Sequence, residues 1–253
     1  VSKNFWKFTN IAALAEPGEQ LEAPVIELRI EGDIIADNDA WLYEWFDEVA
    51  TSPNNFKNEL NKYQGQDLIV WIDSYGGDVF AAAGIYNALK EHKGGITVKI
   101  DGKAMSAASV IAMAGDQILM SPVAMLMIHN PLTQASGDMY DMRKTADVLD
   151  AVKETIINAY VAKTGKKAAD ISGMMDDETW MSANVAVKNG FADGVLYADS
   201  PNDKIGNIKD FAYSRLAIAN GTSSSIRKLF EMESKELDLK DTEQILFNEG
   251  ECK

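Results

Sequence analysis

The chain has 253 residues, 46% of them apolar, and a formal net charge of -15. That length allows one sizeable domain or a domain with appendages, and the charge argues against a nucleic-acid surface, which needs clustered Lys and Arg. No stretch supplies the roughly 18–20 uninterrupted apolar residues of a membrane span, and the single cysteine, Cys252, leaves no disulfide framework or thiolate metal site.

Residues 1–24 read as a leader, with aromatics at Phe5, Trp6 and Phe8 and a Pro17-Gly18 break. Val1 to Ala15 holds no continuous apolar segment, so a cytoplasmic chain without a signal peptide is expected. Val25 to Glu31 alternates apolar and charged residues, the pattern of a half-buried strand. A turn is expected over Asp33 to Asn38, helical spacing over Trp41 to Val49, and a helix from Ser52-Pro53 to Tyr63, capped by the serine. Leu68 to Ile72 is a short apolar strand, followed by Asp73-Ser74-Tyr75-Gly76-Gly77 and a helix over Val79 to Lys90 that His92, Gly94 and Gly95 close.

Ile96 to Ile100 is the next strand, Ser106 to Ala114 a helix, and Gln117 to Met120 and Ala124 to Ile128 two further strands. Strand and helix alternating at this spacing predict a layered α/β domain with a parallel sheet and right-handed crossovers. The longest helix is expected over Met139 to Ala162, with one apolar stripe through Met142, Ala146, Leu149, Val152, Ile156 and Tyr160. Such a stripe needs a partner, either the domain's own sheet or another subunit. Gly165 ends it, Ala168 to Met175 forms a helix, Trp180-Met181 is extended, and Ser182 caps a short helix stopping at Gly190. Residues 25–198 form the domain, 199–226 a linker around Asn220 to Ser225, and 227–253 a charged, mobile tail.

The chain has two histidines. His92, in a Lys-Glu-His-Lys run, reads as solvated. His129 emerges where an apolar strand ends, which is where ligands bind in open parallel sheets. It is therefore either a packed residue or a base. Ser106 opens a helix after a strand, so its hydroxyl sits by free N–H groups and a positive helix end that favour an oxyanion. An ordinary N-cap role fits it too, and Ser109, one turn on, competes as the nucleophile. Gly76-Gly77 can aim backbone N–H groups into a cleft, with Ala107 supplying a second donor. The same turn suits a phosphate, but no GxxxxGK[ST] pattern is present.

These residues identify a resemblance. Ser-x-Gly-Gly-Asp-Val-Phe at 74–80, the small-residue segment around Ser106, Met-Ile-His-Asn-Pro at 127–131, Trp180-Met181-Ser182-Ala183 and Gly190-Phe191-Ala192-Asp193 stand in the order and separations of the Clp-type serine peptidases. The chain most closely resembles the ClpP-like proteases that phages and prophages encode for head maturation, over about Val25 to Val195. The resemblance implies a ClpP/crotonase-like layered fold with repeated β-β-α units, a parallel sheet and a protruding long helix. It makes Ser106 the nucleophile, His129 the base, and the N–H groups of Gly77 and Ala107 the oxyanion donors. The third member falls on Glu178, two residues before Trp180, with Asp177 and Asp176 as adjacent alternatives. Tyr75 stands where the family usually has proline.

No cofactor or metal is implied. Stacked subunit rings are, with the 139–162 helix between rings and the active sites facing an inner chamber. The expected activity is ATP-independent serine endopeptidase cleavage of phage scaffold or capsid precursor, in the cytoplasm of a bacterium or infected host or within the prohead. The alternatives are a general degradative subunit served by an AAA+ unfoldase, and an inert oligomeric scaffold.

Overall fold

The computed structural model describes residues 9–10 and 26–197; the rest of the expected leader, the linker and the tail lie outside the described residues. In chain order the elements are β1 (Thr9–Asn10), β2 (Ile26–Ile34), α1 (Ala40–Trp45), β3 (Ala50–Thr51), α2 (Pro53–Leu60), β4 (Leu68–Gly77), α3 (Val79–Glu91), β5 (Ile96–Met105), α4 (Ala107–Ala112), β6 (Gln117–Met120), β7 (Met125–Ile128), α5 (Met139–Thr164), α6 (Ala168–Asp176), β8 (Thr179–Ser182), α7 (Ala183–Asn189) and β9 (Gly194–Val195).

Strands β2, β4, β5 and β6 lie side by side in sequence order and parallel. With crossovers of one hand, a strand order that always advances the same way stacks its helices on one face. The contacts of α3 with both α2 and α4 agree with this. That face is the core: Leu28, Ile30, Val70, Ile72, Val98 and Ile100 are fully buried, each worth about 1.5–3 kcal/mol relative to exposure.

The alternate residues of the same strands are only half buried and, Ile69 apart, are polar or aromatic. Trp71 lies there between the Arg29 guanidinium, 5.5 Å from its ring centroid, and the Lys99 ammonium, at 4.9 Å. The parallel sheet therefore has a period of two along β2, β4 and β5 instead of the near-continuous apolar runs of a sheet covered on both faces.

Several boundaries differ from expectation. β2 runs beyond Glu31 into the expected turn: β4 carries one extra residue between Asp73 and Gly76, opposite Gly32 (φ 71°), and past this bulge Asp33 and Ile34 pair with β3 as well as β4. β4 and β5 extend through Gly77 and Met105, since ladder bonds carry polar residues such as Ser74 that no apolar count includes. α1 stops at Trp45, where Asp47 at φ 53° turns the chain. α4 begins one residue after Ser106 and ends at Ala112.

The two expected serine caps are absent. Ser52 makes no side-chain bond to α2; Asp37 accepts from the Asn54 amide (2.8 Å) instead. Ser182 makes none to α7. His92 is not solvated: it is buried, with Nε2 2.7 Å from the Gln66 carbonyl oxygen. Gly94 follows it because a side chain there would meet that same oxygen.

α5 starts in a capping box between Asp138 and Asp141 and ends at Gly165 in the left-handed conformation. Its second half docks through Ile156, Ile157, Ala159 and Tyr160, while Met139, Tyr140, Met142 and Val148 in the first half are exposed. The stripe thus meets its own domain over only half its length.

Candidate active site

Strand β5 has two successive neighbours on one edge. Thr97 to Ile100 pair with β6, then Lys103 to Met105 pair with β7. Ser106 is the first residue beyond β5 and His129 the first beyond β7, so parallel pairing brings both to the carboxyl end of the sheet. There His129 Nε2 lies 2.8 Å from Ser106 Oγ. His129 is 7% exposed, so its imidazole works in a largely water-excluded setting.

Ser106 occupies φ 52°, ψ -125°, a conformation that L-residues rarely adopt. Strain of this kind, about 1–3 kcal/mol, persists only where neighbours over-determine it. Here the Ser106 amide donates to the Met127 carbonyl (3.0 Å), and its own carbonyl accepts from the Ser109 amide (3.0 Å) and hydroxyl (2.6 Å). The result is a serine held on a sharp strand-to-helix turn, the geometry of a nucleophile elbow. Ser109, the competing candidate, is fully buried, and its Oγ lies 2.7 Å from the Tyr160 hydroxyl. Burial pushes that hydroxyl well above the usual phenol range, only partly offset by Ser109. Ser109 and Tyr160 therefore form a neutral strut between α4 and α5, away from solvent.

The glycine turn packs directly on this elbow. Ser74 Oγ donates to the Gly32 carbonyl (2.6 Å) and accepts from the Gly76 amide (3.0 Å). Gly76 has φ 105°, and a Cβ on it would lie 2.6 Å from Met105 O, 2.8 Å from Ser106 Cβ and 2.9 Å from Ala107 N. Gly77, at φ 146°, would meet Ile34 O at 2.0 Å. Both positions demand glycine for space as well as dihedral. Tyr75 stays half exposed beneath the Lys103 ammonium, 4.4 Å from its ring centroid, and Lys103 also bonds Asp73 (2.6 Å). Gly76→Ala is expected to displace Ser106 and lower the rate of its labelling by a fluorophosphonate about a hundredfold, since a shift near 1 Å costs that much; labelling kinetics on the folded variant check it.

The three acidic candidates separate by position. β7 and β8 pair antiparallel from Met125↔Ser182 to Ile128↔Thr179. Carried one residue past the ladder, this register sets Glu178 opposite His129. Glu178 sits at φ 49°, a second non-glycine residue in the left-handed region, and its Oε1 is 3.4 Å from Trp180 Nε1. Asp176 Oδ1 accepts from Lys153 Nζ (2.7 Å) and Asn130 Nδ2 (2.8 Å). Asp177 is the C-cap of α6. Reading the residues in order passes over Asn130 and Lys153, although the Asn-Pro step straight after His129 is a visible signal of a fixed backbone.

The last motif, Gly190 to Asp193, is structural. Phe191 is buried with its ring 5.6 Å from that of Tyr160, and Asp193 accepts from the Ile118 amide (2.7 Å) and Lys163 Nζ (2.8 Å). Among the described residues no cluster of three or more His, Cys, Asp or Glu converges as a metal site, and no helix is long and apolar enough to cross a membrane.

Comparison with known proteins agrees with this arrangement. The family model described as Clp protease matches residues 59–199, starting later than the Val25 at which the motif resemblance begins. The ATP-dependent Clp protease proteolytic subunit 1 of Chlamydia muridarum is 32% identical over 138 residues, 53% of this chain and 72% of that protein. The ATP-dependent Clp protease proteolytic subunit of Bacteroides fragilis is 31% identical over 134 residues, 52% of this chain and 65% of its own length. Subunit 1 of Prochlorococcus marinus is 32% identical over 133 residues, 52% and 68% respectively. A parallel α/β sheet, a serine bonded to a histidine at its carboxyl end, and a family match across more than half the chain carry one conclusion: this protein belongs to the Clp protease family and is a serine-type peptidase.

Proposed function

We propose that the chain is an ATP-independent endopeptidase that cuts phage scaffold or capsid precursor during head maturation. Ser106 is its nucleophile, His129 its base and Glu178 its orienting carboxylate. The observation that carries the chemistry is the 2.8 Å contact between His129 Nε2 and Ser106 Oγ at the end of two paired strands. With the imidazole proton on Nδ1, Nε2 accepts from Oγ and takes that proton as Oγ attacks a peptide carbonyl. The N–H groups of Gly77 and Ala107 stabilise the oxyanion, a term of about 2.7–4 kcal/mol per donor. His129 then protonates the leaving amine, and water releases the acyl-enzyme with the same histidine as base. Glu178 holds the imidazole tautomer.

The head-maturation assignment rests on the motif resemblance, with Tyr75 in place of the usual proline. It brings with it stacked homo-oligomeric rings joined through α5, a cytoplasmic or prohead setting, and the division into a 25–198 domain, a linker and a mobile tail. The exposed apolar half of α5 supports a subunit contact there. A second reading, a degradative subunit served by an AAA+ unfoldase, is favoured by the names of the similar proteins, each an ATP-dependent Clp protease proteolytic subunit. Co-expression with a capsid-scaffold precursor, with and without a Clp-type unfoldase, separates the two. Head maturation predicts precursor cleavage that is equal in both cases and lost in Ser106→Ala; cleavage only with the unfoldase selects the second reading.

A further inference from the structure

We infer that Asn130, Asp176 and Lys153 form a clamp that positions the catalytic histidine, an inference resting on the Ser106–His129 reading. The ladder between β7 and β8 ends at Ile128↔Thr179. His129 and Asn130 lie beyond it, so no strand pairing fixes the base where its ring must meet Ser106 Oγ. The side chain of the next residue takes over. Asn130 Nδ2 donates to Asp176 Oδ1 at 2.8 Å, and the same oxygen accepts from Lys153 Nζ at 2.7 Å.

The three groups tie the end of β7 to the end of α6 and the middle of α5, two helices that pack on each other. Two further features fix the amide. Pro131 biases Asn130 toward extended backbone. Asn130 Oδ1 is buried and finds no partner among the described residues, yet the amide cannot flip, because its oxygen would then face the acceptor-only Asp176 carboxylate.

The Lys153 side chain is 17% exposed and that of Asp176 55%. As an isolated ion pair this contact would be worth little. Its effect lies in geometry: a 1 Å misplacement of a catalytic group costs about a hundredfold in rate, so a modest tether exerts large leverage on turnover. The three are positioning residues and touch no substrate.

The test is the rate of fluorophosphonate labelling of Ser106 in the full chain, resolved into kinact and KI, with thermal melting measured alongside. Asn130→Ala and Asp176→Ala are each expected to lower kinact about tenfold with KI within twofold. The double variant should lose no more than either single one, because both break the same link. Lys153→Met is expected to lose about threefold and Lys153→Arg to recover most of it. Should Asp176→Ala fail to fold, Asp176→Asn, which keeps an acceptor for Asn130 but no charge for Lys153, should lose about threefold. Folded variants that label within twofold of wild type, or losses that multiply in the double variant, overturn the clamp while leaving the Ser106 reading intact. An unlabelled wild-type protein overturns both.

Discussion

Ser106→Ala is expected to lower peptide hydrolysis by about a million-fold, to abolish fluorophosphonate labelling, and to leave the fold intact. The magnitude follows from what nucleophile and base do together: removing either member of such a pair costs nearly as much as removing the whole set. His129→Ala should therefore match it, and the double variant should be no worse. Stability should change little, because the 2.8 Å bond between the two side chains is one contact at the rim of a large core. Ser106 is also strained at φ 52°, and alanine is no easier there, so no compensating relaxation is expected. Ser109→Ala offers the contrast. It leaves the Tyr160 hydroxyl buried without its 2.7 Å partner and should cost about 1–3 kcal/mol of stability, read by denaturant melting, with the labelled serine unchanged. Full activity in Ser106→Ala would end the assignment.

Glu178→Gln is expected to lower kcat about ten-thousandfold with KM nearly unchanged. An amide in place of the carboxylate no longer holds the histidine in the tautomer that leaves Nε2 free to accept, and in a serine triad that exchange costs this much. The placement follows from register, since the ladder that ends at Ile128↔Thr179 sets Glu178 opposite His129. The same exchange at Asp177, which closes α6, should cost less than tenfold. Steady-state kinetics on the two variants decide between them. The reverse ranking would move the third role to Asp177.

The sequence revealed what is periodic or local. The alternation of Ile26, Leu28 and Ile30 and the apolar run at Leu68 gave strands in the right places, and the long stripe ending at Gly165 gave α5 almost to the residue. It under-read strand ends, because Ser74, Asp101 and Lys103 are polar and their pairing is with distant strands. It misjudged His92 for a related reason: charged neighbours suggested solvent, yet the Gln66 carbonyl that buries it lies 26 residues away. At the site, the serine and histidine were legible from their places after two apolar strands. The choice among Asp176, Asp177 and Glu178 was not, since the three are adjacent and their surroundings come from distant elements, such as the β7 strand and the lysine on α5.

The divided allegiance of β5 has an evolutionary reach. Its first half leans on β6, whereas its last three residues lean on β7 and lead straight into Ser106. Durability and turnover are thereby assigned to separate segments of one strand. Substitutions along the first segment are expected to act on the stability of the sheet, and those along the second on the setting of Ser106.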